Sequence, residues 1–147
     1  RATDDYELFA HPKLVGGSLE LEFFPRGLRH YTDRAVQDLL ELSINERVYQ
    51  LRDVQNGRDP DALAIRSEKP YQQLIGYVPR YYCKGIGRLL DNGSGEVKGT
   101  LKRVNRDAPK DMKVLVSFTA EVAQDFNLLS GMDDFKPFVV SRDRASA

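Results

Sequence analysis

Two segments of the chain carry side chains that could bind a ligand, and both adjoin predicted strands. The first is a polar loop, Asn56-Gly57-Arg58-Asp59-Pro60-Asp61, which is rich in turn-forming residues and runs into a short apolar strand. The second is Ile75-Gly76-Tyr77-Val78-Pro79-Arg80, where a strand ends and Pro79 suits the first position of a helix. A carboxylate, an aromatic ring and a helix start at one strand edge predict a site that holds a small part of a ligand.

Short strands are the main elements that would position these segments. Alternation of Leu19, Leu21 and Phe23 with polar residues predicts one strand. Similar patterns predict five more, over residues 46–54, 62–66, 73–78, 96–104 and 112–122. One helix is predicted after a cap at Thr32 or Asp33, and a second after Pro79. The buried faces of the two helices are predicted to carry Val36, Leu39 and Leu40, and Tyr82, Ile86, Leu89 and Leu90, respectively.

About six strands separated by turns, with two short helices, predict a mainly β fold of the α+β class, a small OB-like β-barrel. We expect an irregular N-terminal arm over residues 1–17, one domain over 18–122 and a C-terminal tail over 123–147. The tail contains an apolar cluster, and the sequence leaves open whether it docks on the domain: Phe135, Phe138, Val139 and Val140.

Composition narrows the functional classes. The formal net charge of the 147-residue chain is zero, which argues against coating nucleic acid by bulk electrostatics. Basic residues do predominate between Arg80 and Lys113, which suits a limited phosphate contact or an ordinary solvated face. A single cysteine, Cys83, excludes internal disulfides and cysteine-based metal sites. No signal peptide or membrane-spanning run is recognisable, so we expect an intracellular protein, cytoplasmic in a bacterium or nuclear in a eukaryote.

Several blocks of the sequence, in order, resemble the HIRAN domain family. They are Leu28–Thr32, Val48–Asp53, Asn56–Ile65, Ile75–Arg80 and Leu89–Asp91. The resemblance covers roughly residues 20 to 122. It implies an OB-like, non-catalytic module that needs no cofactor and captures the free 3′ end of single-stranded DNA. It also implies a helicase or nuclease as a fused or associated partner.

The resemblance also implies which residues bind DNA. Asp59 corresponds to the family's loop aspartate, and a carboxylate there would accept a hydrogen bond from a sugar hydroxyl and repel a phosphate. Arg58 and His30 stand where the family often has tyrosine, and both could stack on a base. The full set of expected DNA-binding residues is Arg29, His30, Tyr31, Asn56, Arg58, Asp59, Tyr77, Lys98, Lys102 and Phe118. Tyr49, Tyr81 and Tyr82 are further stacking candidates.

The residues leave other interpretations open. Asp59 could instead close an Asx turn, and Tyr77 and Phe118 could instead belong to the core. Zero net charge and the two replaced tyrosines also fit a protein-interaction or regulatory module that keeps the fold without binding DNA ends. Asp53, Asp59 and Asp61 together could bind Mg²⁺ in a nuclease, although no lysine or glutamate completes a familiar nuclease centre.

Overall fold

One antiparallel sheet of seven strands, covered by two helices, makes up the fold. The computed structural model describes residues 12–68, 72–92, 96–123 and 126–129. The strands are β1 (Lys13–Val15), β2 (Ser18–Phe23), β3 (Arg47–Arg52), β4 (Leu63–Ser67), β5 (Leu74–Tyr77), β6 (Lys98–Val104) and β7 (Val114–Glu121). The helices are α1 (Asp33–Leu40) and α2 (Arg80–Asn92), and 3-10 turns lie at Leu28–His30 and Lys110–Met112. The strand order is β1-β2-β7-β6-β3-β4-β5.

The core lies on the face of the sheet that the strand alternation predicts. Leu21 of β2 lies opposite Phe118 of β7, and both side chains are buried. The polar residues between the buried positions of β2, Glu20 and Glu22, are exposed. The predicted final strand, residues 112–122, is too long at both ends, since β7 spans Val114–Glu121; Met112 belongs to a 3-10 turn and is exposed.

Both predicted helices are confirmed. The Thr32 side chain accepts a hydrogen bond from the Ala35 N–H at 3.2 Å, which satisfies one of the free N–H groups in the first turn of α1. The apolar faces of α1 and α2 enter the same core as the sheet. Buried helical residues include Val36, Leu39, Leu40, Tyr82, Ile86 and Leu89.

The strand count of six was one too low. Residues 13–15, predicted as part of an irregular arm, form β1 and pair with Ser18–Glu20 of β2. Gly16 and Gly17 make the turn with positive φ angles of 56° and 81°. A two-residue Gly-Gly loop is a recognised signal for such a hairpin because both positions need positive φ. The rest of the predicted arm, residues 1–11, lies outside the described residues.

The predicted barrel is not closed. In the described residues, β1 and β5 are the outer strands of the sheet, and no ladder joins them. Just past the end of β2, Arg26 forms one isolated bridge with Tyr77 of β5. Pro25 lacks an N–H and Gly27 adopts a φ of 99°, so the chain leaves the strand conformation before a ladder can extend. The result is a curved, open sheet with a single point of closure.

Part of the predicted tail packs on the domain. Leu128 and Leu129 are buried, and the Arg88 side chain of α2 donates to the backbone carbonyl groups of Asn127 and Leu128. The apolar cluster predicted further along the tail, Phe135 to Val140, lies outside the described residues.

Candidate nucleic-acid interface

Tyr77 joins the two sequence blocks predicted to bind DNA. Its N–H donates to the carbonyl of Arg26 at 2.9 Å, and its carbonyl accepts from the Arg26 N–H at 2.8 Å. Its hydroxyl donates to Asp53 Oδ2 at 3.1 Å, at the start of the 53–62 loop. Burial, and then the bond to Asp53, raises the pKa of the Tyr77 hydroxyl. Tyr77 therefore lies between the Arg26–Tyr31 segment and the polar loop.

The 53–62 loop is held by its own side chains. Asn56 Oδ1 accepts from the N–H groups of Arg58 and Asp59, both at 3.0 Å. Asp59 Oδ1 accepts from the Asp61 N–H at 2.9 Å. These are consecutive Asx-type turns, and the Asp53 N–H closes the base of the loop on Ala62. Asn56 thus shapes the loop, as the sequence suggested.

The two oxygens of the Asp59 carboxylate differ in their hydrogen bonding. Oδ1 is used by the turn, whereas Oδ2 has no hydrogen-bond partner among the described residues. The side chain is half-buried, and Arg58 beside it is exposed. An Asx turn and a ligand contact, which were alternatives on sequence grounds, are therefore compatible in this geometry.

The Leu28–His30 turn presents a small basic cluster. The Arg29 N–H is bound by Asp111 Oδ1 at 3.2 Å, which fixes the turn against the Lys110–Met112 turn. Arg29 Nε donates to His30 Nε2 at 3.3 Å. Both side chains are exposed and can meet a phosphate or a base.

Tyr31 is fixed more firmly than its neighbours. Its hydroxyl donates to the Leu74 carbonyl at 3.3 Å, and burial raises its pKa to about 12, with the nearby Tyr77 adding to the rise. An open cavity of about 390 Å³ lies beside the ring and is lined by Tyr31, Thr32, Ala35, Asp38, Gln73 and Leu74. Tyr31 therefore forms a wall of this cavity, with its hydroxyl committed to β5.

The structure does not add Lys98, Lys102 or Phe118 to this arrangement. Lys102 forms an ion pair with Glu22, so its charge is already matched. Lys98 is exposed at the start of β6 and lines a cavity together with Glu96 and Glu121. Phe118 is 2% exposed, and its ring packs edge-on against Phe23 at 5.1 Å between centroids. A ring enclosed in this way cannot stack on a base, so the core interpretation fits Phe118.

Three cations of the predicted basic segment are paired with carboxylates. Lys102 pairs with Glu22, Lys110 and Asp33 are 3.1 Å apart, and Arg106 lies 3.6 Å from Glu41. Such exposed pairs contribute only about 0–1 kcal/mol each to stability. The pairing matters more for DNA binding than for stability, because a cation that is matched by a carboxylate attracts phosphates less strongly.

Two arginines near Tyr77 were not singled out from the sequence. The positive charge of Arg66 partly offsets the rise in the pKa values of both Tyr31 and Tyr77. The Arg26 guanidinium lies 3.4 Å from the Tyr81 hydroxyl and 5.9 Å from the centre of that ring. The sequence does contain one sign of this role for Arg66, which is a charged residue inside the largely apolar strand Leu63–Ser67.

A metal site and a membrane-spanning helix each place geometric requirements on the residues that form them. In the described ranges, no group of three or more histidine, cysteine, aspartate or glutamate side chains is placed to hold a metal ion. Within the same ranges, no helix has the length and apolar character needed to cross a membrane.

Cys83 is expected to be chemically inert in the folded protein. Burial, with the carboxylates of Asp59 and Asp61 adding to it, raises the pKa of the thiol to about 12, and the residue is 2% exposed. Because the thiolate is the reactive form, labelling by a disulfide reagent near about pH 8 should be more than about 100-fold slower than in the urea-unfolded chain. Labelling of the folded protein at the unfolded rate would contradict this placement.

A curved antiparallel sheet with covering helices, and with polar and aromatic groups gathered at one edge, defines a small mainly β domain with a potential ligand site. The chain belongs to the HIRAN domain family, because the family's sequence model matches residues 18–123. The match includes all of β2 to β7 and both helices.

Solved structures are similar to this chain at low sequence identity. A Lactobacillus plantarum protein is similar over 71% of this chain and 96% of its own, with a TM-score of 0.53 and 20% identity. The crystal structure of the HIRAN domain of human HLTF covers 73% of this chain and 79% of its own, with a TM-score of 0.48 and 19% identity. An NMR structure of the HLTF HIRAN domain in its DNA-bound conformation covers 72% and 74%, with a TM-score of 0.45 and 19% identity.

A curated plant protein also matches part of the sequence. It is the Fanconi-associated nuclease 1 homolog of Oryza sativa subsp. japonica, 34% identical over 67 residues. The match covers 45% of this chain and only 7% of the rice protein.

Proposed function

We propose that this HIRAN domain binds single-stranded DNA and recognises a free 3′ end. Family membership supports DNA as the ligand class, since a HIRAN domain of HLTF has been determined in its DNA-bound conformation. The observation that carries the end-recognition proposal is the Asp59 carboxylate. Its Oδ1 holds the loop, and its Oδ2 has no hydrogen-bond partner among the described residues.

A carboxylate oriented in this way favours a strand end over a strand interior. A terminal sugar hydroxyl can donate a hydrogen bond to Asp59 Oδ2, whereas a continuing chain brings a phosphate whose charge the carboxylate repels. A hydrogen bond to a charged group contributes about 1.5–3 kcal/mol, which corresponds to roughly 10- to 150-fold in affinity.

The remaining residues of the proposal have supporting roles. Arg29 and His30 are exposed on the Leu28–His30 turn and can contact the last phosphate or stack on the last base. Arg58 is exposed next to Asp59 and can stack through its guanidinium plane. Asn56 and Tyr77 hold the loop and the turn in place through their hydrogen bonds.

Changing Asp59 to Asn tests end recognition directly. The amide oxygen can still accept the Asp61 N–H, so the loop should keep its shape while the charge is lost. Fluorescence anisotropy with matched oligonucleotides should show that the parent prefers a 3′-hydroxyl over a 3′-phosphate end by about 10-fold or more, and that the variant loses most of this preference.

Asp61→Asn is the matched control, because it removes the same charge two residues away within the same loop. We expect the control to keep the hydroxyl preference. Equal affinity of the parent protein for the two kinds of end would contradict end recognition, and absence of binding at low salt would contradict DNA binding as a whole.

A second candidate function is that of a protein-interaction module that keeps the fold without binding DNA ends. The observation in its favour is that three cations of the basic segment are already paired with carboxylates: Lys102 with Glu22, Lys110 with Asp33 and Arg106 with Glu41. Recovery of a protein partner, combined with no DNA binding at low salt, would select this function.

The proposed module acts as a binding domain within the cell and is not catalytic. The similarity to a nuclease homolog and to an HLTF domain favours a fused or associated nuclease or helicase as its partner. Metal-stimulated cleavage of a labelled single strand by this chain alone would overturn the non-catalytic proposal.

A further inference from the structure

The outer face of β3, β4 and β5 carries a second set of stacking groups next to Tyr77. The strand register places Leu51, Ala64 and Tyr77 in one row across the sheet. The neighbouring row consists of Tyr49, Arg66 and Leu74. Alternate residues of β3 and β4 share a face, and a register shift at Ile65 and Arg66 brings Leu74, three residues before Tyr77, into the second row. The two rows therefore form one surface opposite the core residues Val48 and Ile65, with Ala64 as its buried member. We call this surface the outer platform.

The outer platform carries aromatic rings and guanidinium groups among its aliphatic side chains. The Arg47 guanidinium lies over the Tyr49 ring, 5.0 Å from its centre. Arg66 lies directly opposite Tyr49 on the next strand, and one of its nitrogen atoms donates to the Gln72 carbonyl at 2.9 Å. At the far end of the first row, Leu51 is 47% exposed. A surface of this composition suits planar ligand groups.

The charge balance of the platform favours bases over phosphates. Arg47 forms an ion pair with Glu96, and Asp53 lies at the Tyr77 end, so the two platform arginines are matched by two carboxylates. A balanced surface attracts phosphates weakly. Aromatic rings and guanidinium planes still stack on bases, and every base offers a π-face.

The platform is continuous with the end-binding site through Tyr77. Tyr49 and Tyr77 are separated by two strand spacings and one step between rows, which amounts to roughly 12 Å. A single strand whose last nucleotide lies beside Asp59 therefore has stacking groups within reach for the nucleotides that precede it.

We propose that the outer platform binds the bases upstream of the strand end, with Tyr49 as its central stacking residue. This inference rests on the proposed function, because DNA held by its end supplies the continuing strand. It assigns a second binding surface that recognises bases by stacking, without sequence preference. A peptide could make the same apolar contacts. Its backbone, however, has no planar rings to stack on Tyr49 and on the guanidinium groups, whereas every nucleotide has one.

Oligonucleotide length separates the two sites. We expect a 3′-hydroxyl decanucleotide to bind the parent protein at least about 5-fold more tightly than a 3′-hydroxyl dinucleotide, since stacking of one base is worth about 5- to 150-fold. Tyr49→Ala should remove most of this gain and leave dinucleotide binding unchanged, whereas Tyr49→Phe should keep the gain. Ile44→Ala, an exposed apolar truncation outside the platform, should behave like the parent.

The length gain should also depend little on salt, because stacking releases no counterions. Equal affinity for the two lengths, or a gain that survives Tyr49→Ala, would overturn the outer platform while leaving end recognition intact. Loss of dinucleotide binding by the Tyr49→Ala variant that retains its thermal unfolding transition would also overturn it, because Tyr49 would then act at the end site. Failure of the parent to bind either oligonucleotide would instead contradict the proposed function.

Discussion

Replacing Phe118 by Ala should lower the free energy of unfolding by about 3–5 kcal/mol, the usual cost of removing a buried aromatic ring. The ring packs on Phe23 and lies against Gly99, where an added Cβ would be 2.6 Å from Phe118 Cε1. So tightly enclosed a position leaves a cavity when the ring is removed. Small domains are stable by about 5–15 kcal/mol, so urea unfolding should shift to a much lower midpoint.

Phe24→Ala is the matched control for this loss. Phe24 follows β2 directly and is 37% exposed, so removing its ring should cost much less than removing Phe118. Phe118→Leu, which keeps an apolar side chain, should fold and bind DNA like the parent protein. If Phe118→Ala unfolded at the parent's urea midpoint but lost DNA affinity, the core assignment would be wrong.

Local patterns in the sequence predicted most of the elements. Alternation of apolar and polar residues identified β2 and β7, because each strand has one buried face. Thr32 marked the start of α1, because its hydroxyl accepts a hydrogen bond from the first turn of the helix. Local patterns could not give the closure of the barrel. That depends on whether β5 and the chain after β2 form a ladder, and Pro25 and Gly27 restrict their contact to one bridge.

In the candidate site, too, contacts between neighbouring residues were predictable and contacts between distant residues were not. The bonds of Asn56 to Arg58 and Asp59 lie within four residues, so they agree with the turn-forming composition from which the loop was predicted. The bond from Tyr77 to Asp53 and the pair of Lys102 with Glu22 join residues 24 and 80 positions apart. Such pairs follow from strand order and register, which the sequence pattern alone does not specify. For this reason Lys102 was expected to bind DNA, and its ion pair with Glu22 was not foreseen.

Gly85 of α2 shows how the chain after β7 joins the domain. A Cβ placed on Gly85 would lie 2.5 Å from Leu128 Cδ1 and 2.7 Å from Leu128 Cγ, as well as against the Leu128 carbonyl oxygen. Leu128 and Leu129 are 3% and 5% exposed, and the Arg88 guanidinium lies 5.5 Å from the centre of the Phe126 ring. A close contact with Leu128 therefore accounts for a glycine at this position.

Gly85→Ala should therefore lower the free energy of unfolding by about 1–3 kcal/mol, the usual cost of forcing a methyl group into a packed contact. Gly87→Ala, two residues along the same helix, is the matched control. Its Cβ would meet the guanidinium of Arg52 at 3.4 Å or more, which is an ordinary van der Waals contact. The control should gain about 0.5–1 kcal/mol from better helix propensity, and the two changes should have opposite signs in urea unfolding.

Truncation after Ala123 completes the test by removing Leu128. In the truncated protein the clash no longer exists, so Gly85→Ala should become stabilising by about 0.5–1 kcal/mol, like Gly87→Ala. The difference between the two backgrounds measures the coupling between α2 and residues 126–129, as in a double-mutant cycle. If Gly85→Ala destabilised the full and truncated chains equally, the cost would arise within the helix, and packing of residues 126–129 against Gly85 would be refuted.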